Sequence, residues 1–201
     1  MKTKLKMLWI IAALLLVCTC DNSWIIDITD PLVDDAFQFT YNIGETGPGG
    51  GIIFYRSAKG FTMTDNGQKC HYLEAATADV GSRVWSSLAT PPSGMGDTIG
   101  TGRKNTSDIL SMEPTAPAAL QCSIYSSGGG YFDWFLPSKD ELYQLYENRA
   151  IIGITTGRYW SSSDYPPPPG DACCLDFSSG TGSWIPGIKN YAELVRPIRA
   201  F

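Results

Sequence analysis

Cys70 and His71 are adjacent, and a thiol beside an imidazole is the pairing from which a nucleophilic cysteine is made. His71 is the chain's single histidine, which excludes a metal site built on two histidines and a histidine acid–base pair. Cys122, Cys173 and Cys174 complete a set of four cysteines beyond the N-terminal segment. No CxxC spacing occurs, so neither zinc binding nor thioredoxin-like chemistry is supported. An even count suits disulfides in an oxidising compartment. Cys70, Cys122, Cys173 and Cys174 are therefore the disulfide candidates. Neighbours in a strand face opposite ways, so only one of Cys173 and Cys174 can reach a given partner.

Other constellations read as structure. The Gly47-Pro48-Gly49-Gly50-Gly51 run precedes an apolar strand, whereas a phosphate loop follows a strand and opens a helix; it is a turn. Gly100-Thr101-Gly102-Arg103-Lys104 has the wrong spacing for a nucleotide loop. Asp164, Asp171 and Asp176 are oxygen donors of the kind calcium takes, but they read first as ordinary solvated loop carboxylates. From Tyr159 to Arg199, Trp160, Tyr165, Trp184 and Tyr191 lie among serines, glycines and Lys189. Aromatics set among small polar residues are the composition of a recognition surface; Trp160 reads as core.

The elements that must carry these residues follow an export signal. Lys2, Lys4 and Lys6 precede an apolar run from Met7 to Val17, then Cys18-Thr19-Cys20. The run is too short to span a bilayer, which takes about 20 residues, and matches a secretory signal. The segment around 16–20 resembles a bacterial lipobox. Thr19 is the small residue such a site needs, making Cys20 the lipidated residue and Cys18 the alternative. Residues 1–19 are read as a lipoprotein signal peptide and 20–40 as a tether. The expected localisation is the cell envelope, at the outer membrane or cell surface, held by the lipid anchor. Cleavage leaves 12 basic against 20 acidic side chains, a formal charge of −8. Such a surface repels phosphate backbones, so nucleic acid is excluded as a partner.

Residues 41–201 form one domain of short elements, as 21 glycines and 13 prolines in 201 residues suggest. Strands are predicted at 52–55 and 70–76, paired as a hairpin, and later at 158–162, 173–177 and 195–201. Pro197 puts the last at an edge or bulge. Residues 86–104 read as a long loop, with short helices starting at Thr106 and spanning 116–125. The clearest helix starts at Ser138, where Glu141 three residues on completes a capping box. Leu142, Leu145 and Tyr146 form its inner face.

Three blocks then carry a resemblance. Phe132-Asp133-Trp134-Phe135-Leu136-Pro137-Ser138-Lys139-Asp140-Glu141-Leu142, Tyr159-Trp160-Ser161-Ser162-Ser163 and Val195-Arg196-Pro197-Ile198-Arg199-Ala200-Phe201 resemble the Lcl C-terminal domain family. Blocks at 49–55, 72–76 and 99–102 are similar to its N-terminal part. The resemblance implies an α+β, C-type-lectin-like fold with short antiparallel sheets, two or three helices and long loops, related to the sulfatase-modifying-factor domains. It implies an exported, adhesin-like protein, with an extracellular protein or glycan as partner. It supplies no catalytic residue, metal ligand or cofactor, and the calcium tripeptides of true C-type lectins are absent. The ligand is expected on the late loops, 164–172 and 178–191, through Asp164, Tyr165, Asp171, Trp184, Lys189 and Tyr191. In some lectin-fold proteins this region is diversified by mutation of template adenines, and the residue types crowding 165–174 are those that altered Asn codons yield. The competing readings are an enzyme of the formylglycine-generating type, with free active-site thiols, and a structural envelope lipoprotein.

Overall fold

A computed structural model describes residues 37–167 and 170–201. The signal peptide, the lipidation site Cys20 and the tether up to residue 36 lie outside the described residues. The architecture is α+β. In chain order the elements are β1 (Ile52–Thr62), β2 (Lys69–Ala75), β3 (Ser82–Val84), α1 (Gly102–Met112), α2 (Pro117–Ser123), α3 (Lys139–Glu147), α4 (Arg149–Ile152), β4 (Arg158–Tyr165), β5 (Asp171–Asp176), β6 (Ser183–Ile188), β7 (Ala192–Leu194) and β8 (Ile198–Ala200). They build a three-stranded sheet ordered β1-β2-β8 and a five-stranded sheet ordered β3-β7-β4-β5-β6. No helix of the described residues is long and apolar enough to cross a membrane.

The glycine-rich turn before β1 is shaped by a carboxylate. Glu74, fully buried on β2, accepts from the Gly49 and Gly51 amides at 3.0 and 3.1 Å and from Arg199 of β8 at 2.8 Å. A Cβ on Gly49 would stand 2.6 Å from the Glu74 carboxylate. The turn therefore needs glycine because the backbone itself wraps the charge. Arg199 also reaches Asp133 at 2.6 Å beneath the Tyr131 ring. Both edges of the first sheet thus close on one buried group. As Pro197 foretells, β8 lies at the edge of its sheet and begins just after the proline.

Helix α3 starts as its sequence requires. Ser138 Oγ accepts from the Glu141 amide, and the Glu141 carboxylate accepts from the Ser138 amide at 2.8 Å. That carboxylate is fully buried and also takes the Gly100 amide at 2.8 Å, tying the preceding loop to the helix. Helix α1 begins four residues before the expected start at Thr106. Gly102 lets this first turn lie close to the start of α3: a Cβ there would press on Glu141 and lie 2.8 Å from the Ser138 amide. Thr106 instead sits in the second turn, its hydroxyl donating back to the Gly102 carbonyl at 2.8 Å.

Strand alternation feeds two cores. Phe54, Leu73, Phe135, Leu142, Tyr159, Leu175 and Ile198 fill one, and Trp85, Ile109, Cys122, Trp160, Cys174 and Val195 the other. Adjacent Tyr159 and Trp160 on β4 go to different cores, as period-two geometry demands. Residues 37–41, mostly within the segment read as tether, lie on β2. Phe37 stacks on His71 with centroids 3.7 Å apart, and the Thr40 amide donates to the Tyr72 hydroxyl at 2.7 Å.

The expected disulfides are not formed: Cys70, Cys122, Cys173 and Cys174 are free, buried thiols. Cys70 packs in the first core, while Cys122 and Cys174 act as small hydrophobes in the second. The Cys173 thiol donates to the Asp164 carbonyl at 3.1 Å.

Candidate functional site

Asp164 and Lys189 hold three segments together. The Lys189 ammonium donates to Asp164 Oδ1 at 2.6 Å and to the Pro92 carbonyl at 2.8 Å. It also lies 4.2 Å from the centre of the Trp85 ring. The second Asp164 oxygen accepts from the Gly94 and Met95 amides at 2.6 and 3.0 Å. The Lys189 carbonyl accepts from the amides of Trp85 and Ser86. Segment 85–96, the end of β4 and the β6–β7 connection are thereby fastened to one buried ion pair. Lys189 is 2% exposed and Asp164 9%. Burial pulls the ammonium below its usual pKa, opposed by the hydrogen bond and charge of Asp164 and the charge of Asp171.

The wider loop is fixed from beneath as well. Asn105 on α1 accepts from the Gly96 amide and donates to its carbonyl, at 2.9 and 2.7 Å. Ser163 of β4 donates to the same carbonyl at 2.7 Å. The run Ser161–Ser163 is fully buried, its hydroxyls directed at backbone: Ser161 to the Cys173 carbonyl and Ser162 to the Pro137 carbonyl. A long loop with these partners is positioned like a rigid element.

Above this base the side chains are exposed. Leu88 is 46%, Ile188 48% and Tyr191 61% exposed. Tyr165 pairs with Asp171 across β4–β5, and Asp171 pairs with Ile188 across β5–β6. Both Tyr165 and Asp171 are half-buried. Of the six residues assigned to ligand contact, Asp164, Tyr165, Asp171, Lys189 and Tyr191 therefore gather at one loop cluster. Asp164 and Lys189 are its interior bolt, whereas Tyr165, Asp171 and Tyr191 reach solvent. Trp184 stands apart: it pairs with Leu175 far along β6, packs against the first core and has Lys139 Nζ 5.7 Å from its ring. Leu88, Ile188 and Trp85 were not legible as site residues. Leu88 and Trp85 sit singly in a Gly/Ser/Pro-rich stretch, and Ile188 ends a strand interrupted by Pro186 and Gly187.

The four thiols of the described residues are all buried. Burial pushes the Cys173 and Cys174 thiols up to about 12, raises Cys70 and raises Cys122 well above its usual value. Asp171 and Asp176 lie at opposite ends of β5 and Asp164 is engaged by Lys189. Among the described residues no three His, Cys, Asp or Glu side chains converge as a metal site would require.

No protein family's profile matches the chain, and no curated protein matches it. Among solved structures, the chain is similar to a fimbrial protein from Bacteroides ovatus ATCC 8483, at 14% identity and a TM-score of 0.49. That likeness covers 77% of this chain and 45% of the fimbrial protein, so the chain spans less than half of that protein's length.

Proposed function

We propose that the chain is a surface-anchored lipoprotein, lipidated at Cys20, whose C-type-lectin-like domain binds an extracellular protein or glycan in the manner of an adhesin. The observation that carries this reading is the loop cluster, in which segment 85–96, the end of β4 and the β6–β7 connection share one buried ion pair while Leu88, Ile188 and Tyr191 are exposed to solvent. A fixed base with variable, exposed side chains lets contacts change without unfolding the domain. On this reading the exposed positions of the late loops are the diversified ones, not the buried Ala172, Cys173 and Cys174 of β5, and an Asn-rich template repeat beside the gene is the expected genomic companion.

The test is capture by the full chain on an array of glycans and host-matrix proteins. Tyr191→Ala is expected to weaken capture of a ligand held at the loop cluster, with the melting temperature unchanged, because Tyr191 is mostly solvated. A chain that shows no saturable ligand, or a Tyr191→Ala variant that captures as well as the parent, overturns the proposal.

A further inference from the structure

A second site lies away from the loop cluster. Helix α1 and the segment 132–135 line an open depression of about 410 Å³, toward the small end of the roughly 300–1,000 Å³ typical of small-ligand sites. Its walls include Arg103, Ser107 and Ser111 from α1 and Phe132, Asp133 and Trp134 opposite. Phe132 is 72% exposed, the most exposed large apolar side chain among the described residues. Nothing in the packing of either core requires it there.

The polar groups of the wall are half used. Arg103 donates Nε and Nη2 to Asp65 at 2.7 and 3.1 Å, which leaves Nη1 available among the described residues. Asp133 takes Arg199 on Oδ1 and keeps Oδ2. Ser111 donates to the Ser107 carbonyl at 2.8 Å, so its oxygen still accepts. One guanidinium, one carboxylate and hydroxyls thus line the same depression as Phe132 and Trp134, each charge already balanced by Asp65 or Arg199.

We infer that this depression binds a single neutral sugar ring. A pyranose has a C–H face that suits the negative face of an aromatic ring, and hydroxyls at its edge that both donate and accept. Arg103 Nη1 supplies a donor, Asp133 Oδ2 an acceptor and the serine hydroxyls either. A purely aliphatic ligand would desolvate Arg103 and Asp133 without replacing their hydrogen bonds. A polyanion would meet Asp133 directly and a mature chain of formal charge −8. The site is independent of Tyr191 and of the loop cluster.

The experiment titrates the ¹⁵N-labelled full chain with the methyl glycosides of glucose, galactose, mannose and N-acetylglucosamine. The Trp134 indole N–H, assigned with Trp134→Phe, is the reporter because Trp134 lines the depression. At least one glycoside is expected to shift that signal saturably, with a Kd on the order of 1 mM. Phe132→Ala is expected to weaken binding roughly five- to tenfold without moving the melting temperature, and Phe132→Tyr to retain it. The inference is overturned if none of the four shifts the signal at about 100-fold the expected Kd, if Phe132→Ala binds like the parent, or if Phe132→Tyr loses binding as Phe132→Ala does. Because Tyr191→Ala leaves this site intact, a failure here and a failure of the loop-cluster reading are told apart.

Discussion

Lys189 and Asp164 show what burial does to a residue chosen by type. Replacing Lys189 with methionine keeps most of the packing volume but leaves the Asp164 carboxylate buried without its cation. Breaking a buried pair from one side costs about 3–5 kcal/mol, so Lys189→Met is expected to lower the unfolding free energy by that order in chemical denaturation. Ligand capture should fall with it, since the three segments lose their shared anchor. Glu141 offers a different test. Burial pushes its carboxyl up to about 7 from 4.5, against the pull of the Ser138, Gly100 and Gly102 amides. The folded state then holds a proton that the unfolded chain releases. Its contribution is complete below pH 4.5 and is lost as pH rises through about 7, by on the order of 3 kcal/mol. Parent and Glu141→Gln stabilities measured across that window should differ in slope, the variant's being flatter. A common slope would show that Glu141 is ionised throughout.

Helix α3 was legible in the sequence because its signals are local: a cap, its reciprocal carboxylate and apolar residues at helical spacing. Strands β3 and β7 were not, being three residues long, too short for any periodicity. Strand β6 was hidden by Pro186 and Gly187, which normally argue against a strand. Both are explained by neighbours. β6 is an edge strand, where a missing amide donor is tolerated, and Gly187 gives room to the Trp160 ring. The same edge separates two aromatics that composition alone groups together. Trp184→Ala should lower the melting temperature, as Trp184 packs on the first core, while Tyr191→Ala should not. The candidate site was legible as a stretch but not as a geometry. Asp164 and Lys189 are charged residues in apparent loops, and only their partners on segment 85–96 reveal an interior pair.

At the scale of the molecule, the cysteines follow from the cores rather than from the compartment. Four thiols buried in apolar packing need no bridge to be protected. Cys70, Cys122, Cys173 and Cys174 should react with Ellman's reagent slowly or not at all in the native protein, and all four should react once it is denatured. Native protein that yields none after denaturation would mean that disulfides form. The proposed lipidation is a separate matter of residues 1–20. Cys20→Ala is expected to abolish labelling by a fatty-acid probe and release the chain from the membrane fraction, whereas labelling lost only with Cys18→Ala would move the site.

The carboxylate wrapped by the glycine turn also sets a timetable. Glu74 meets Gly49 and Gly51 across 25 and 23 residues, but its cation lies 125 residues on. Until Arg199 arrives, closing the turn would strand a charge in a forming core, so the early hairpin gains little by collapsing alone. Such non-local closure places refolding in the range of about milliseconds to seconds rather than microseconds. Stopped-flow refolding should find Glu74→Gln less sensitive than the parent to loss of the Arg199 charge. The buried Glu74 charge is therefore fully compensated only once residue 199 has docked on β2.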